Sequence, residues 1–196
     1  MKKVLCFVIV AVFCVLSPAW AMEFSADVVM KSNKKDMMAG KLFVANNKVR
    51  SEMAGMVNIV LSDKKIMYML MPEQKMYMEH PIDAKVQASS ASEKMPGEIE
   101  RQSLGQEMID GHNANKYRIN YEVNNKRETV LQWLEASKSI PLKVSAEDGS
   151  WTVEYKNLKI GPQAASLFEI PDGYSKFAVP EMGNMMNNMK EMFMKK

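Results

Sequence analysis

Apolar and polar positions alternate along most of this chain with a period of two. Phe24, Ala26, Val28 and Met30 interleave with Ser25, Asp27 and Lys31, the pattern of a half-buried β-strand whose successive side chains point to opposite faces. Residues 40–44 begin a second run, with Leu42 and Val44 on one face. Asn46-Asn47 then supplies a turn, and residues 48–53 lead away from it. Asparagine suits such a turn because it tolerates left-handed backbone. Residues 57–61 are an apolar run, followed by a turn at Asp63-Lys64-Lys65. Alternation resumes at Tyr117, Ile119, Tyr121 and Val123, and Asn124-Asn125 turns the chain again. Thr129, Leu131 and Trp133 share one face of the next run, with Val130 and Leu134 on the other. Ile140, Leu142, Val144 and Ala146 alternate up to the hairpin signal Asp148-Gly149, and Trp151, Val153 and Tyr155 share a face beyond it. Roughly nine or ten short strands joined by tight turns predict a large, curved, antiparallel sheet with one dry side.

The densest apolar stretch is 66–80, read Ile-Met-Tyr-Met-Leu-Met-Pro-Glu-Gln-Lys-Met-Tyr-Met-Glu-His. Met67, Met69 and Met71 fall on one face of the first strand and Ile66, Tyr68 and Leu70 on the other. Neither face is polar, so both are expected to be covered. Methionine is unbranched and polarizable and suits a surface that must fit something irregular. Met67, Met69, Met71, Met76 and Met78 are therefore the candidate lining for a hydrophobic ligand. Tyr117, Tyr121, Trp133, Trp151 and Tyr155 are candidates beside them. Core packing accounts for such aromatics equally well, and the alternation leaves both readings open.

The period changes twice. Residues 83–111 are rich in Ala, Ser, Glu and Gln around Pro96-Gly97, which predicts one or two short helices resting on the sheet as a lid. In the tail, Met182, Met185, Met186, Met189, Met192 and Phe193 recur at helical spacing after Pro180, an amphipathic helix with a methionine stripe. It is expected to close the apolar face as a lid or to dock on a partner. Its polar side lacks the dense basic residues of a membrane-surface helix.

The amino terminus is different again. Lys2 and Lys3 precede an apolar segment over 4–16 and the small-x-small triplet Ala19-Trp20-Ala21. This is the pattern of a cleavable signal peptide, too short to span a bilayer comfortably. The organisation expected is therefore a signal peptide over 1–21, a β domain over 22–180 and the methionine-rich helix over 181–196. The expected location is a bacterial periplasm, with no stable membrane anchor after cleavage. Both cysteines of the chain, Cys6 and Cys14, lie in the leader. Cys14 follows Phe13, where a lipid-attachment signal wants a small residue. The mature domain thus has no disulfide and no thiolate chemistry. Lys2 and Lys3 are part of 26 basic residues against 23 acidic ones, so the mature chain is nearly neutral. No concentrated basic patch argues for nucleic acid.

Catalytic chemistry is poorly supplied. His80 and His112 both stand beside turns, where a solvated imidazole is the ordinary reading. Zinc-protease, nucleophile-elbow and phosphate-loop patterns are absent. No enzyme and no cofactor are expected. The 20 methionines offer an alternative, because thioethers select Cu(I) and Ag(I). Against a metal, no histidine or acidic residue is read onto the strand face that carries the methionines. A third reading is a non-catalytic envelope protein that docks an envelope partner through its tail.

The order of these pieces resembles the LolA/LolB lipoprotein-carrier clan, in an uncharacterised exported branch. Gly40-Lys41-Leu42-Phe43-Val44 is similar to the clan's second strand, and residues 57–68 to its hairpin of apolar run, Ser-Asp-Gly-Lys turn and aromatic strand. Ile109-Asp110-Gly111-His112 with Lys116-Tyr117 is similar to a strand entry, and residues 167–174, Leu-Phe-Glu-Ile-Pro-Asp-Gly-Tyr, to the closing segment. The resemblance implies a half-open antiparallel barrel with helices as a lid over an apolar cavity. It also implies a carrier of a lipid, a lipoprotein acyl chain or another hydrophobic molecule. The chain departs from the clan in lacking its long first helix, in placing Ala45, Asn46 and Asn47 where an arginine follows the second strand, and in its methionine-striped tail.

Overall fold

The computed structural model describes residues 23–33, 35–82, 93–123 and 125–177. In it the period-two runs pair into one twelve-stranded sheet. The strands are β1 (Phe24–Ser32), β2 (Lys35–Ala45), β3 (Lys48–Met53), β4 (Met56–Leu61), β5 (Ile66–Met71), β6 (Met76–Pro81), β7 (Glu98–Ile109), β8 (His112–Val123), β9 (Lys126–Glu135), β10 (Pro141–Ala146), β11 (Trp151–Ile160) and β12 (Ser175–Lys176). Their spatial order is β12-β6-β5-β4-β3-β2-β1-β11-β10-β9-β8-β7. Two antiparallel meanders, β1–β6 and β7–β11, are thus joined side by side where β1 pairs with β11. The sheet is curved and does not close into a barrel, so the half-open fold expected from the sequence is borne out. β7 forms one edge. The other is the two-residue β12, which runs parallel to β6.

Tight turns set the register. Ala54 and Gly55 between β3 and β4 have φ of 50° and 76°, and Asp110 and Gly111 between β7 and β8 have 50° and 80°. Positive φ at both central residues marks the turn whose twist matches that of the flanking strands. Asp-Gly is a strong signal for such a turn, and it reveals the main correction to the sequence reading. The helices expected within 83–111 are replaced over Glu98–Ile109 by a β-strand. β7 is an edge strand, exposed over most of its length and bulged between Glu98 and Glu100 and between Ser103 and Gln106. Neither face is consistently dry, so no alternation is left to read. Of the expected lid, residues 83–92 lie outside the described residues. Met95 does rest on the sheet, against Ile119, Val130 and Val144. The described helical structure consists of two 3-10 turns, Pro72–Gln74 and Ala165–Phe168.

The core is spread over both faces. On one face Phe24, Ala26, Val28, Leu42, Ile140, Val153 and Tyr155 form a buried cluster. On the opposite face of β4 and β5, Val57, Ile59, Leu61 and Leu70 are buried with Phe168. The closing segment, which carries Phe168, Leu167 and Tyr174, covers that side. Arg50 holds it in place, donating from Nη1 to the Leu167 carbonyl at 2.9 Å and from Nε to Glu52 at 2.7 Å. Leu70 is therefore buried as expected and Tyr68 packs against the same cluster, while Ile66, Tyr68 and the methionines of β5 are half-buried.

Gly40 is fixed by close approach. A Cβ there would collide with the Glu52 carbonyl oxygen and stand 2.6 Å from Met53 Cγ. Backbone lies on one side, so relief requires the strands to move apart. Gly40→Ala is expected to cost about 1–3 kcal/mol, read as a lower urea midpoint. Phe168→Ala should cost about 3–5 kcal/mol, since it empties the cover of β4 and β5. Both are checked by equilibrium unfolding.

Candidate functional site

Directly opposed residues of neighbouring antiparallel strands point to the same face, so the register can be followed across the sheet. Met78 faces Met69, Met69 faces Asn58, Asn58 faces Ser51, Ser51 faces Leu42 and Leu42 faces Ala26. One row away, His80, Met67, Val60, Val49, Val44 and Phe24 follow one another. On the other side Met76 faces Met71, and Met56 faces Met53, which faces Gly40, then Val28, then Tyr155. The next row holds Met38, Met30, Val153, Val144, Gln132 and Tyr117. One continuous face thus crosses from β6 to β8.

The methionine candidates Met67, Met69, Met71, Met76 and Met78 all lie on this face and are half-buried. The sheet adds Met30, Met38, Met53 and Met56, which the sequence reading left out. They come from strands that are distant in sequence or follow turns, and only pairing brings them beside β5. Tyr117, Tyr121, Tyr155 and Trp151 are on the same face by register. Tyr155 is buried in the core and Trp151 is exposed near the end of β11. Tyr117 lies under the Arg101 guanidinium, 4.8 Å from its ring centre. Trp133 is elsewhere. It pairs with Lys143 and Lys116, and their ammonium groups stand 4.7 and 4.9 Å from its ring on the opposite face. Its indole N–H donates to Glu107. The tail residues Met182, Met185, Met186, Met189, Met192 and Phe193 lie outside the described residues.

His80 overturns an expectation. It belongs to β6, is half-buried, and pairs with Met67. An imidazole therefore does join the methionines. The repeat Met76-x-Met78-x-His80 already carried that signal, because alternate strand residues share a face. His112 instead opens β8 opposite Ile109. Asn58 and Ser51 are further polar residues on the methionine half. Asn58 Oδ1 is buried and accepts no hydrogen bond among the described residues.

The methionine face is an apolar, half-buried surface of the sheet. Two depressions of about 450 and 350 Å3 lie elsewhere, one at the β9–β11 ends around Glu128, Glu147 and Trp151, the other around Asp27, Lys41 and Asn157. Both mix polar and apolar lining and carry charged side chains. The methionine face fits an apolar ligand better, because apolar lining does most of the work in such sites. Among the described residues no three His, Cys, Asp or Glu side chains come together as a metal group. No described helix is long and apolar enough to cross a membrane.

Near the rim, Tyr121 donates to Glu128 at 2.8 Å. Burial, and then the bond to a carboxylate, push its phenol up to about 12. An unfolded tyrosine ionises near the ordinary value of 10.0. The neutral phenol therefore stabilises the fold below pH 10, and that contribution is lost as pH rises from 10 to 12. Absorbance titration should show a late-ionising phenol that is lost in Tyr121→Phe.

A family model described as "Domain of unknown function (DUF4412)" matches residues 22–136. No curated protein matches the sequence. Among solved structures, the chain is similar to one described as the complex structure of Pseudomonas aeruginosa MucA/MucB, at 12% identity and a TM-score of 0.52. That match covers 82% of this chain and 59% of the other, so this chain spans about three fifths of the protein it resembles. A Mycobacterium tuberculosis lipoprotein, LppX, matches at 13% identity and a TM-score of 0.45, covering 73% and 86% of the two chains. A LolA superfamily protein from Nitrosomonas europaea matches at 10% identity and a TM-score of 0.33, covering 78% and 91%. A protein of the clan resembled by the sequence motifs is among those matched, and the likeness to the MucA/MucB structure is one of fold.

Proposed function

The chain belongs to the family described as "Domain of unknown function (DUF4412)", and for it we propose a non-catalytic binding function: a lipid, acyl chain or other hydrophobic molecule is held against the methionine face. The observation that carries this reading is the continuous row structure of that face, from Met76 and Met78 on β6 to Val28 and Tyr155. Thioethers leave it half-buried and deformable. Binding would be driven by removal of apolar surface from water, about 25 cal/mol per Å2. Asn58 Oδ1 supplies a buried acceptor among the methionines, suited to a hydroxyl or amide of the ligand. The reading includes export to the periplasm, which the leader pattern of residues 1–21 supports, and a covering role for the tail over 181–196. It also includes the carrier role of the resembled clan, for which the shared sheet architecture is the support.

The test is native mass spectrometry of the protein purified without detergent, together with titration of an apolar fluorescent dye. An organic-extractable mass or saturable dye uptake is expected. Met69→Gln with Met78→Gln should weaken dye binding at least tenfold, because two amides then face the ligand with no partner. Trp133→Phe, on the opposite face, should leave it unchanged. Equal loss in both variants, or a bare mass with no dye uptake, would sink the proposal.

A further inference from the structure

The hydrophobic-ligand reading leaves one residue of the methionine face without a purpose. His80 is half-buried there, and among the described residues its imidazole has no hydrogen-bond partner. Its surroundings are chemically unusual. His80 is opposed by Met67, and the next pair on the same face is Met78 opposed by Met69. Opposed Cβ atoms stand about 5 Å apart, and alternate residues of one strand about 7 Å. One imidazole and three thioethers therefore occupy the corners of a small rectangle. Each methionine has three rotatable bonds with which to turn its sulfur toward the centre.

From this arrangement we propose that Met67, Met69, Met78 and His80 form a binding site for a soft monovalent cation, Cu(I) or Ag(I). The donors are neutral and mostly sulfur, the set that favours Cu(I) over hard divalent ions. The carboxylate nearest in sequence, Glu79, is on the opposite face, where it accepts from Lys176 at 2.8 Å. β5 and β6 thus bring no carboxylate to the methionine side, which a divalent ion would need more than a monovalent one. The site shares Met67, Met69 and Met78 with the apolar-ligand face, but the cation proposal does not depend on that reading. It also accounts for why a histidine stands among methionines on a face where any aliphatic residue would serve packing as well.

Ag(I), which needs no reductant, is the first probe, followed by Cu(I) under ascorbate in competition with a coloured chelator. One equivalent of each is expected, with no competition from Zn(II). His80→Leu, and Met69→Leu with Met78→Leu, should each weaken binding at least tenfold. The substitutions roughly keep side-chain volume, and a urea midpoint no lower than that of the wild type reports that the fold is intact in each. His80→Met should retain silver because it keeps a soft donor. Met53→Leu with Met56→Leu, on the same face outside the rectangle, should change nothing. X-ray absorption of the Cu(I) form should show mixed sulfur and nitrogen ligation. Absence of silver binding by the wild type overturns the proposal. So does undiminished binding in the His80 and Met69/Met78 variants, or an equal loss in Met53→Leu with Met56→Leu.

Discussion

The antiparallel ladder between β1 and β11 joins two meanders that share no hairpin, and the geometry of the whole face depends on its register. Val28 opposite Tyr155 and Met30 opposite Val153 place the aliphatic side of β1 on the same face as the aromatic side of β11. Side chains alternate strictly along a strand, so a slip of one residue would turn every apolar residue of one meander to the other side. Burial enforces the observed choice. Phe24, Ala26, Val28, Val153 and Tyr155 are all buried in one cluster, whereas Asp27, Lys31, Glu154 and Lys156 point away. Lys31 and Glu154 meet at 2.9 Å on that polar side.

Outward from this seam, the two halves of the sheet are covered differently. Toward β4–β6 the side opposite the methionines is closed by the chain itself, through Phe168 and its neighbours. Arg50 anchors that closure by its bond to the Leu167 carbonyl, so the arginine further along the chain than the clan's position serves packing in this protein. Because the core of β4 and β5 is secured from behind, their methionine side is released from the duty of forming it. That division of labour explains why the same strands can be apolar on both faces without both being buried. A half-buried thioether surface keeps the adaptability that a tightly packed core would remove.

The methionine hairpin of β5 and β6 was legible because its alternation is strong and its turn short. The turn signals at Asn46, Asn125 and Asp148 were legible for the same local reason. β7 was not, because an edge strand with two bulges and mixed exposure carries no periodic apolar signal. Its Glu and Gln residues suit a helix, and tertiary pairing to β8 overrode that preference. The aromatic candidates were harder still. Trp133 obeys the same alternation as its neighbours, yet it lies beneath Lys116 and Lys143 on the far side. Alternation assigns residues to two faces but does not say which of them the other strands share.

That limit separates the two sources of information. The sequence by itself determined which residues of each strand lie together, since the period of two is a property of local backbone geometry. It therefore determined that Met67, Met69 and Met71 act as one set, and it held the link between Met76, Met78 and His80. Only the tertiary structure decided how the faces of different strands are phased against one another. Long-range hydrogen bonding sets that phase, and it brings Met30, Met38, Met53 and Met56 onto the face of β5 while leaving Trp133 behind. It also opposes His80 to Met67, because the register of an antiparallel pair is fixed by the turn between its strands and by burial on the far face.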